Sequence, residues 1–172
     1  MPAADSLTIG FLRIEDDEEY GLLGGYLMLN GWGRPLEFHC TSPVRPTRTH
    51  EILYGTELKP FLYGEQIGGT LLRAVKSMPA LVCVDSLATL SLRYQFDLPV
   101  VAVLEDPPEA MTDYATFRID DFQLAVLSRY ASDQSQVRNL WQRVSGDYDL
   151  QEPFERIRQA LGEAKRSIRG VA

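Results

Sequence analysis

Apolar and polar residues alternate with a period of two along the first quarter of the chain. The alternation is clearest in "LTIGFLRI" (7–14), and β-forming residues also dominate "GYLMLN" (25–30) and "LEFHCT" (36–41). The "GWGRP" link between the last two is short and contains glycine, which favours a hairpin turn. We therefore predict three strands in an antiparallel meander, with the acidic run 15–19 as the loop after the first strand.

The spacing of apolar residues becomes helical after the two prolines of "SPVRPT". Thr47 is a good N-cap residue for a short helix that ends at about Tyr54. Gly55 then suits the position after a helix end, where the backbone often becomes left-handed. A longer helix is predicted over 61–77, because its apolar residues recur at intervals of three and four.

Two short, continuous apolar runs follow this helix. They are "ALVCVDS" (80–86) and "PVVAVLE" (99–105), separated by the helical pattern of "LATLSLRYQ" (87–95). Continuous apolar strands are typical of a sheet that is covered on both faces. A strand, a helix and a strand at this spacing predict a βαβ unit with parallel strands.

The last third of the chain combines strand and helix patterns. A hairpin is predicted from 115–119 and 122–128, although a helix over 122–130 stays open, and two helices are predicted over 132–144 and 149–168. The predicted fold class is therefore α/β (or α+β), with a mixed sheet that holds the meander and the βαβ unit, followed by a C-terminal hairpin and helices. We expect a single domain over 1–172, with 146–172 as a candidate appendage.

Charge and composition narrow the function classes. The 172 residues include 17 Lys and Arg and 24 Asp and Glu, for a formal net charge of −7. An acidic protein lacks long-range attraction to phosphates, so we do not expect nucleic acid as a partner, although a local basic patch would still allow it. No apolar run approaches the roughly 20 residues of a membrane helix, and the N-terminus lacks the pattern of a secretory signal. We predict a cytoplasmic protein.

Asp85 is the first candidate for chemistry, because it directly follows a predicted buried strand. Its place between a strand and a helix favours a cap that accepts hydrogen bonds from free helix amides. Carboxylates at strand ends also serve as metal ligands in some enzymes. We take the cap as the first interpretation of Asp85 and keep the metal ligand as the alternative.

The order of the predicted elements gives the metal alternative a concrete form. Three antiparallel strands, helix, strand, helix and strand, over about residues 7–106, resemble the layout of ribonuclease H-like nucleases and of endonuclease V. The resemblance is one of topology, and no family motif is matched residue by residue. It implies carboxylates that hold divalent metal ions, here Mg²⁺, for phosphodiester cleavage. On this reading Asp85, Asp16 and Glu65 are the catalytic candidates, Asp85 and Asp16 are the metal ligands, and Glu15 is an alternative to Asp16.

Two further patterns point to close packing or to partners. Gly64 and Gly68 share one face of a predicted helix, where alanine would be the better helix former, so we expect a strand, a partner or a ligand to approach that face. Near the C-terminus, a narrow apolar seam is typical of a helix that packs on its own domain or on a partner helix. The seam residues are Phe154, Ile157, Leu161, Ala164 and Ile168, of which all but Ala164 are the candidate binding residues.

These observations lead to a ranked expectation of function. The leading hypothesis is a non-catalytic accessory or interaction protein in a complex, with a protein partner or a second copy, and with no cofactor and no membrane. The alternative is a divergent nuclease or phosphodiesterase that depends on a divalent metal and has a ribonuclease H-like core. A small-ligand-binding protein ranks third.

Overall fold

The computed structural model describes residues 6–106, 112–144 and 146–171. Seven strands are present in this part of the chain: β1 (Thr8–Asp17), β2 (Gly21–Asn30), β3 (Pro35–Cys40), β4 (Leu81–Val84), β5 (Val100–Leu104), β6 (Tyr114–Ile119) and β7 (Phe122–Leu127). They form one mixed sheet in the order β3-β2-β1-β4-β5-β7-β6. The predicted fold class is confirmed.

Strands β1 to β3 form the predicted antiparallel meander. Strand β1 is longer than its pattern suggested, because its pairing with β2 runs from Thr8 opposite Asn30 to Asp17 opposite Gly21. Gly21 has a φ of 95°, a left-handed conformation that glycine adopts without strain at this tight turn. The prediction of a loop over 15–19 is therefore wrong for its first three acids, which are strand residues.

The central strands are parallel, as the βαβ prediction required. β1 pairs with β4, and β4 pairs with β5, in parallel registers. The connection between β4 and β5 is a 3₁₀ helix (Leu87–Tyr94) rather than an α-helix. The predicted hairpin is also present, with Asp120 in a left-handed conformation between β6 and β7. Since β1 and β4 are parallel neighbours, their carboxyl ends lie side by side at one edge of the sheet.

The first helix, α1 (Arg48–Tyr54), begins and ends where the sequence indicated. Its N-cap is Thr47, whose hydroxyl accepts the backbone N–H of His50 at 3.1 Å. It ends at Gly55, which has a φ of 54°. Both signals are local in sequence, which explains why the boundaries of α1 could be predicted.

The second helix differs from its prediction. We call it the mixed helix because it changes type along its length: a 3₁₀ turn (Gly55–Glu57), an α turn (Leu58–Pro60), a π-helix (Phe61–Gly68) and an α-helix (Gly69–Arg73). The Gly69 N–H donates to the Gly64 carbonyl five residues earlier, the bond that defines a π turn. The mixed helix stops at Arg73 and not at Ser77.

Two helices complete the described chain, α2 (Asp133–Trp141) and α3 (Glu152–Val171). Asp149 precedes α3, and its carboxylate accepts the backbone N–H groups of Gln151 and Glu152 at 2.8 and 3.2 Å. These bonds satisfy amides that have no partner inside the helix. Asp149, the first residue of the predicted helix 149–168, thus caps the start of α3.

Buried side chains form two clusters, one on each face of the sheet. On the first face, residues of α2 and α3 pack against the sheet, and Phe154 meets Phe11 edge to face at 5.6 Å between ring centres. On the second face, leucines of the mixed helix and of the 3₁₀ helix pack against the sheet. No helix within the described residues is long and apolar enough to cross a membrane.

Candidate functional site

A charged cluster lies where β1 and β4 end side by side. The parallel register pairs Leu12 with Val84, so Arg13 lies opposite Asp85 one position further along. Arg13 Nη1 donates to an Asp85 carboxylate oxygen, and Arg13 Nε donates to Glu15 Oε1 at 2.9 Å. Arg13 and Glu15 share a face because they are two residues apart in one strand. We call Arg13, Glu15 and Asp85 the edge triad.

The edge triad is largely shielded from solvent. The exposed fractions of the three side chains are 29% for Arg13, 21% for Glu15 and 20% for Asp85. Burial raises the pKa of Asp85 above its usual range, and this effect exceeds the opposing attraction of Arg13. Burial works against the charge of Arg13, but the Glu15 hydrogen bond and the Asp85 charge outweigh it and raise the pKa of Arg13. Arg13 therefore stays charged, while Asp85 accepts a proton more readily than an exposed aspartate does.

Tyr63 of the mixed helix lies close to this edge. The pKa of its phenol is raised, mainly by burial and further by the negative charges of Asp16, Asp85 and Glu15. Tyr63 and Asp16 line a cavity of about 700 Å³, together with Lys59, whose ammonium group lies 5.1 Å from the centre of the Tyr63 ring. Asp16 follows Glu15 directly in β1, so its side chain points away from the face that carries the triad.

Glu65 lies in a separate environment. It lines a cavity of about 610 Å³ with Ser91 and Tyr94 of the 3₁₀ helix and with Arg129 after β7. Among the candidates of the nuclease alternative, Asp85 and Asp16 therefore both lie near Tyr63, whereas Glu65 lines a separate cavity. In the part of the chain that the structure describes, no group of three or more His, Cys, Asp or Glu side chains could hold a metal ion.

The residues present do not fit a centre with two metal ions. Such a centre holds its ions about 4 Å apart and needs carboxylates that are free to bind them. The two carboxylates that do converge, Glu15 and Asp85, are both engaged by the guanidinium of Arg13. The cation of this site is an arginine side chain.

The first interpretation of Asp85, a helix cap, is wrong. The N-cap of the following 3₁₀ helix is Ser86, whose side chain makes no capping hydrogen bond. The Asp85 carboxylate accepts from Arg13 instead. Arg13 was missed as a site residue, although it is the only charged residue of the predicted first strand, 7–14.

Gly64 shows the close approach predicted for its helix face. A Cβ atom there would lie 1.9 Å from Ser91 Oγ and 2.8 Å from the Leu92 backbone nitrogen. At Gly68, the Leu92 side chain would lie 3.5 Å from such an atom. The group that approaches is the protein's own 3₁₀ helix, so this face holds a packing contact in place of a ligand or partner.

The apolar seam of α3 also packs on the protein itself. Phe154, Ile157 and Leu161 are buried in the cluster on the first face of the sheet. A Cβ atom at Gly25 of β2 would lie 2.5 Å from Ile157 Cγ2, which shows how closely α3 sits on β2. The expectation that these three residues bind a partner is wrong, because they are part of the core. The side chain of Ile168 lies outside the described residues.

Comparison with known proteins gives a match in structure but none in sequence. No protein-family model and no curated protein sequence matches the chain. Two crystal structures of Ciona intestinalis endonuclease V, each in complex with DNA that contains an inosine followed by a ribo-adenosine, are 10% identical to the chain, with TM-scores of 0.52 and 0.54. The matched region covers 96% of this chain in both cases, and 86% and 87% of the two Ciona chains. The crystal structure of human ENDOV is 13% identical, with a TM-score of 0.50 and coverages of 96% and 85%.

These likenesses correct the ranking of functions. The similar structures are those of an endonuclease, two of them with bound DNA. That finding overturns the leading expectation of a non-catalytic interaction protein with a protein partner, and it overturns the expectation that nucleic acid is not a partner. The nuclease alternative is the better supported one. The chain has the ribonuclease H-like fold of endonuclease V.

Proposed function

We propose that the protein acts on nucleic acid, as a divergent nuclease or phosphodiesterase, and that the edge triad is its site. The observation that carries this proposal is a charged cluster at the paired carboxyl ends of β1 and β4. In open α/β sheets, ligands bind outside the carboxyl ends of the strands. A likeness to endonuclease V over 96% of the chain supports nucleic acid as the ligand.

Arg13 is the residue we assign to the phosphate. A guanidinium presents planar, paired N–H donors that match phosphate oxygens, and it stays charged at all relevant pH values. Arg13 uses Nε and Nη1 for Glu15 and Asp85, and its Nη2 donates to no other described residue. These remaining donors can face a phosphodiester and stabilise the negative charge that grows as its phosphorus is attacked.

Asp85 is the residue we assign to proton transfer. Burial raises the pKa of Asp85, which makes its carboxylate a better base than an exposed aspartate. In the proposed step, the oxygen of a water molecule bonds to phosphorus while Asp85 takes the proton of that water. The P–O ester bond breaks, and the leaving oxygen takes a proton from solvent. Glu15 holds the guanidinium of Arg13 in place.

The test measures binding and cleavage separately. Labelled single-stranded DNA, duplex DNA, RNA and inosine-containing DNA are incubated with the full chain, both with Mg²⁺ and with EDTA. We expect binding to at least one of these nucleic acids and cleavage of the one that is bound best. Arg13→Gln should weaken binding about tenfold, or about 1.4 kcal/mol. Asp85→Asn should abolish cleavage while the nucleic acid stays bound.

Arg48 offers a matched control, because it is an exposed arginine whose ion-pair partner is Glu51, three residues along α1. Arg48→Gln removes the same charge and should leave both measurements unchanged. If the wild-type protein binds none of these nucleic acids, the proposed function is wrong.

A further inference from the structure

We infer that Arg13 is the resident cation of this site: its guanidinium holds the place between Glu15 and Asp85 that a divalent ion would need, so the site binds a phosphodiester without a divalent metal. The choice of phosphodiester as ligand rests on the proposed function. That Arg13 takes the place of a divalent metal is inferred from the arrangement of Arg13, Glu15 and Asp85, and it can be tested without an activity assay.

The geometry leaves the two carboxylates committed to Arg13. Glu15 Oε1 lies 2.9 Å from Nε, and Asp85 accepts from Nη1 of the same planar group. A magnesium ion needs oxygen ligands at about 2.0–2.1 Å in an octahedral arrangement. An ion that took the position between these two engaged oxygens would have to push the guanidinium out of both contacts.

Charge and burial make that displacement costly. The three side chains are 20–29% exposed, so a guanidinium moved away from these contacts leaves two partly buried carboxylates. Removing one partner of a buried ion pair is strongly unfavourable, because the remaining charge has lost both water and its partner. An incoming ion would have to compensate for this loss as well as for its own dehydration.

The remaining donors of Arg13 define the ligand. The side chain is 29% exposed, and Nη2 donates to no other residue in the described ranges. Glu15 and Asp85 repel an anion on the sides that they occupy, so a phosphodiester must approach Nη2. A metal ion that approached Nη2 would be repelled by the guanidinium, although the two carboxylates would attract it. Nη2 is therefore the group of this site that can bind an anion, next to Glu155 of α3, whose carboxylate also interacts with the charge of Arg13.

The first experiment measures thermal unfolding of the full chain with Mn²⁺ alone, with Mg²⁺ alone and with EDTA. The wild-type melting temperature should be the same under all three conditions. Arg13→Gln should lower it in EDTA and should make it respond to Mn²⁺ with a rise of at least about 2 °C, because a ligand that binds only the folded state stabilises it. The rise should vanish in the double variant Arg13→Gln with Asp85→Asn.

Arg48→Gln is again the matched control and should give no response to Mn²⁺. A wild-type protein that Mn²⁺ stabilises, with the effect lost in Asp85→Asn, would overturn the inference. So would an Arg13→Gln variant that folds and shows no metal response. If Arg13→Gln does not fold, a calorimetric titration of Mn²⁺ into the wild type decides: absence of heat from binding supports the inference, and binding that Asp85→Asn removes contradicts it.

The second experiment concerns the phosphodiester. Fluorescence polarisation with labelled single-stranded DNA, at matched ionic strength, should give dissociation constants in EDTA and in Mg²⁺ that agree within about twofold. A loss of tenfold or more in EDTA, about 1.4 kcal/mol, would overturn the metal-independent site and leave the proposed function standing. Binding under neither condition would instead count against the proposed function, while the unfolding data would still decide the role of Arg13.

Discussion

The two faces of the central sheet are covered by different kinds of helix. On the first face lies α3, an α-helix of 20 residues whose buried side chains come at regular intervals. On the second face lies the mixed helix, which passes through 3₁₀, α and π geometry within Gly55–Arg73. A glycine allows a close approach on both faces: Gly25 of β2 meets a side chain of α3, whereas Gly64 of the mixed helix meets the backbone of the 3₁₀ helix. The regular spacing of apolar residues predicts how α3 packs on the sheet. It does not predict the close contact between the mixed helix and the 3₁₀ helix.

The largest effect is expected on the first face, at Ile157. This side chain is fully buried above β2, and Ile157→Ala would leave a cavity that the rigid sheet cannot fill. We expect a loss of about 2–5 kcal/mol in the free energy of unfolding, measured by urea denaturation. Gln159 is exposed on the same helix, and Gln159→Ala should change the free energy by no more than about 0.5 kcal/mol. Equal stabilities for the two variants would show that α3 is not part of the core.

The second face is tested with a pair of glycine substitutions. At Gly64, an added methyl group would collide with Ser91 Oγ and with the Leu92 backbone nitrogen. Gly64→Ala should therefore destabilise the protein by about 1–3 kcal/mol, as overpacking does, although alanine is the better helix former.

Gly162 of α3 is the matched site on the first face, since a Cβ atom there has no other atom within 4 Å among the described residues. Gly162→Ala should stabilise the protein by about 0.5–1 kcal/mol. Urea unfolding should therefore give a lower free energy of unfolding for Gly64→Ala and a higher one for Gly162→Ala than for the wild type. Stabilisation by both substitutions would mean that the mixed helix and the 3₁₀ helix are not in close contact.

The same contrast explains which elements the sequence could predict. Thr47 and Gly55 bound α1, and Asp149 starts α3, because each acts on amides or carbonyls only a few residues away. The π geometry of the mixed helix could not be predicted, and neither could the contact that this helix makes, through Gly64, with residues almost thirty positions later in the chain. Local signals could be read from the sequence, and this distant contact could not.

Strand β1 and the edge triad show the same limit. The acids of 15–17 are poor strand formers, but their pairing with β2 outweighs local preference. Asp85 could be singled out by its position after an apolar run. The part played by Arg13 depends on the parallel register between β1 and β4, which brings it beside a residue 72 positions away. Asp85 as a candidate could thus be predicted, and its partner could not.

The smallest effect on stability is expected for Asp17, whose carboxylate at the end of β1 forms an ion pair with Lys165 of α3. Asp17 has its pKa lowered to about 2, first by the backbone N–H of Tyr20 and then by the Lys165 side chain, which lies 3.0 Å from its carboxylate. A folded-state pKa below the usual 3.8 means that Asp17 stabilises the fold above about pH 4 and that this contribution is lost as the pH falls towards 2. Asp17→Asn should flatten the dependence of the urea midpoint on pH in that window. Lys165→Gln should keep most of it, because the backbone bonds remain. If Lys165→Gln flattens the curve as much as Asp17→Asn does, then the low pKa of Asp17 comes from the ion pair with Lys165 and not from the backbone hydrogen bonds of the turn after β1.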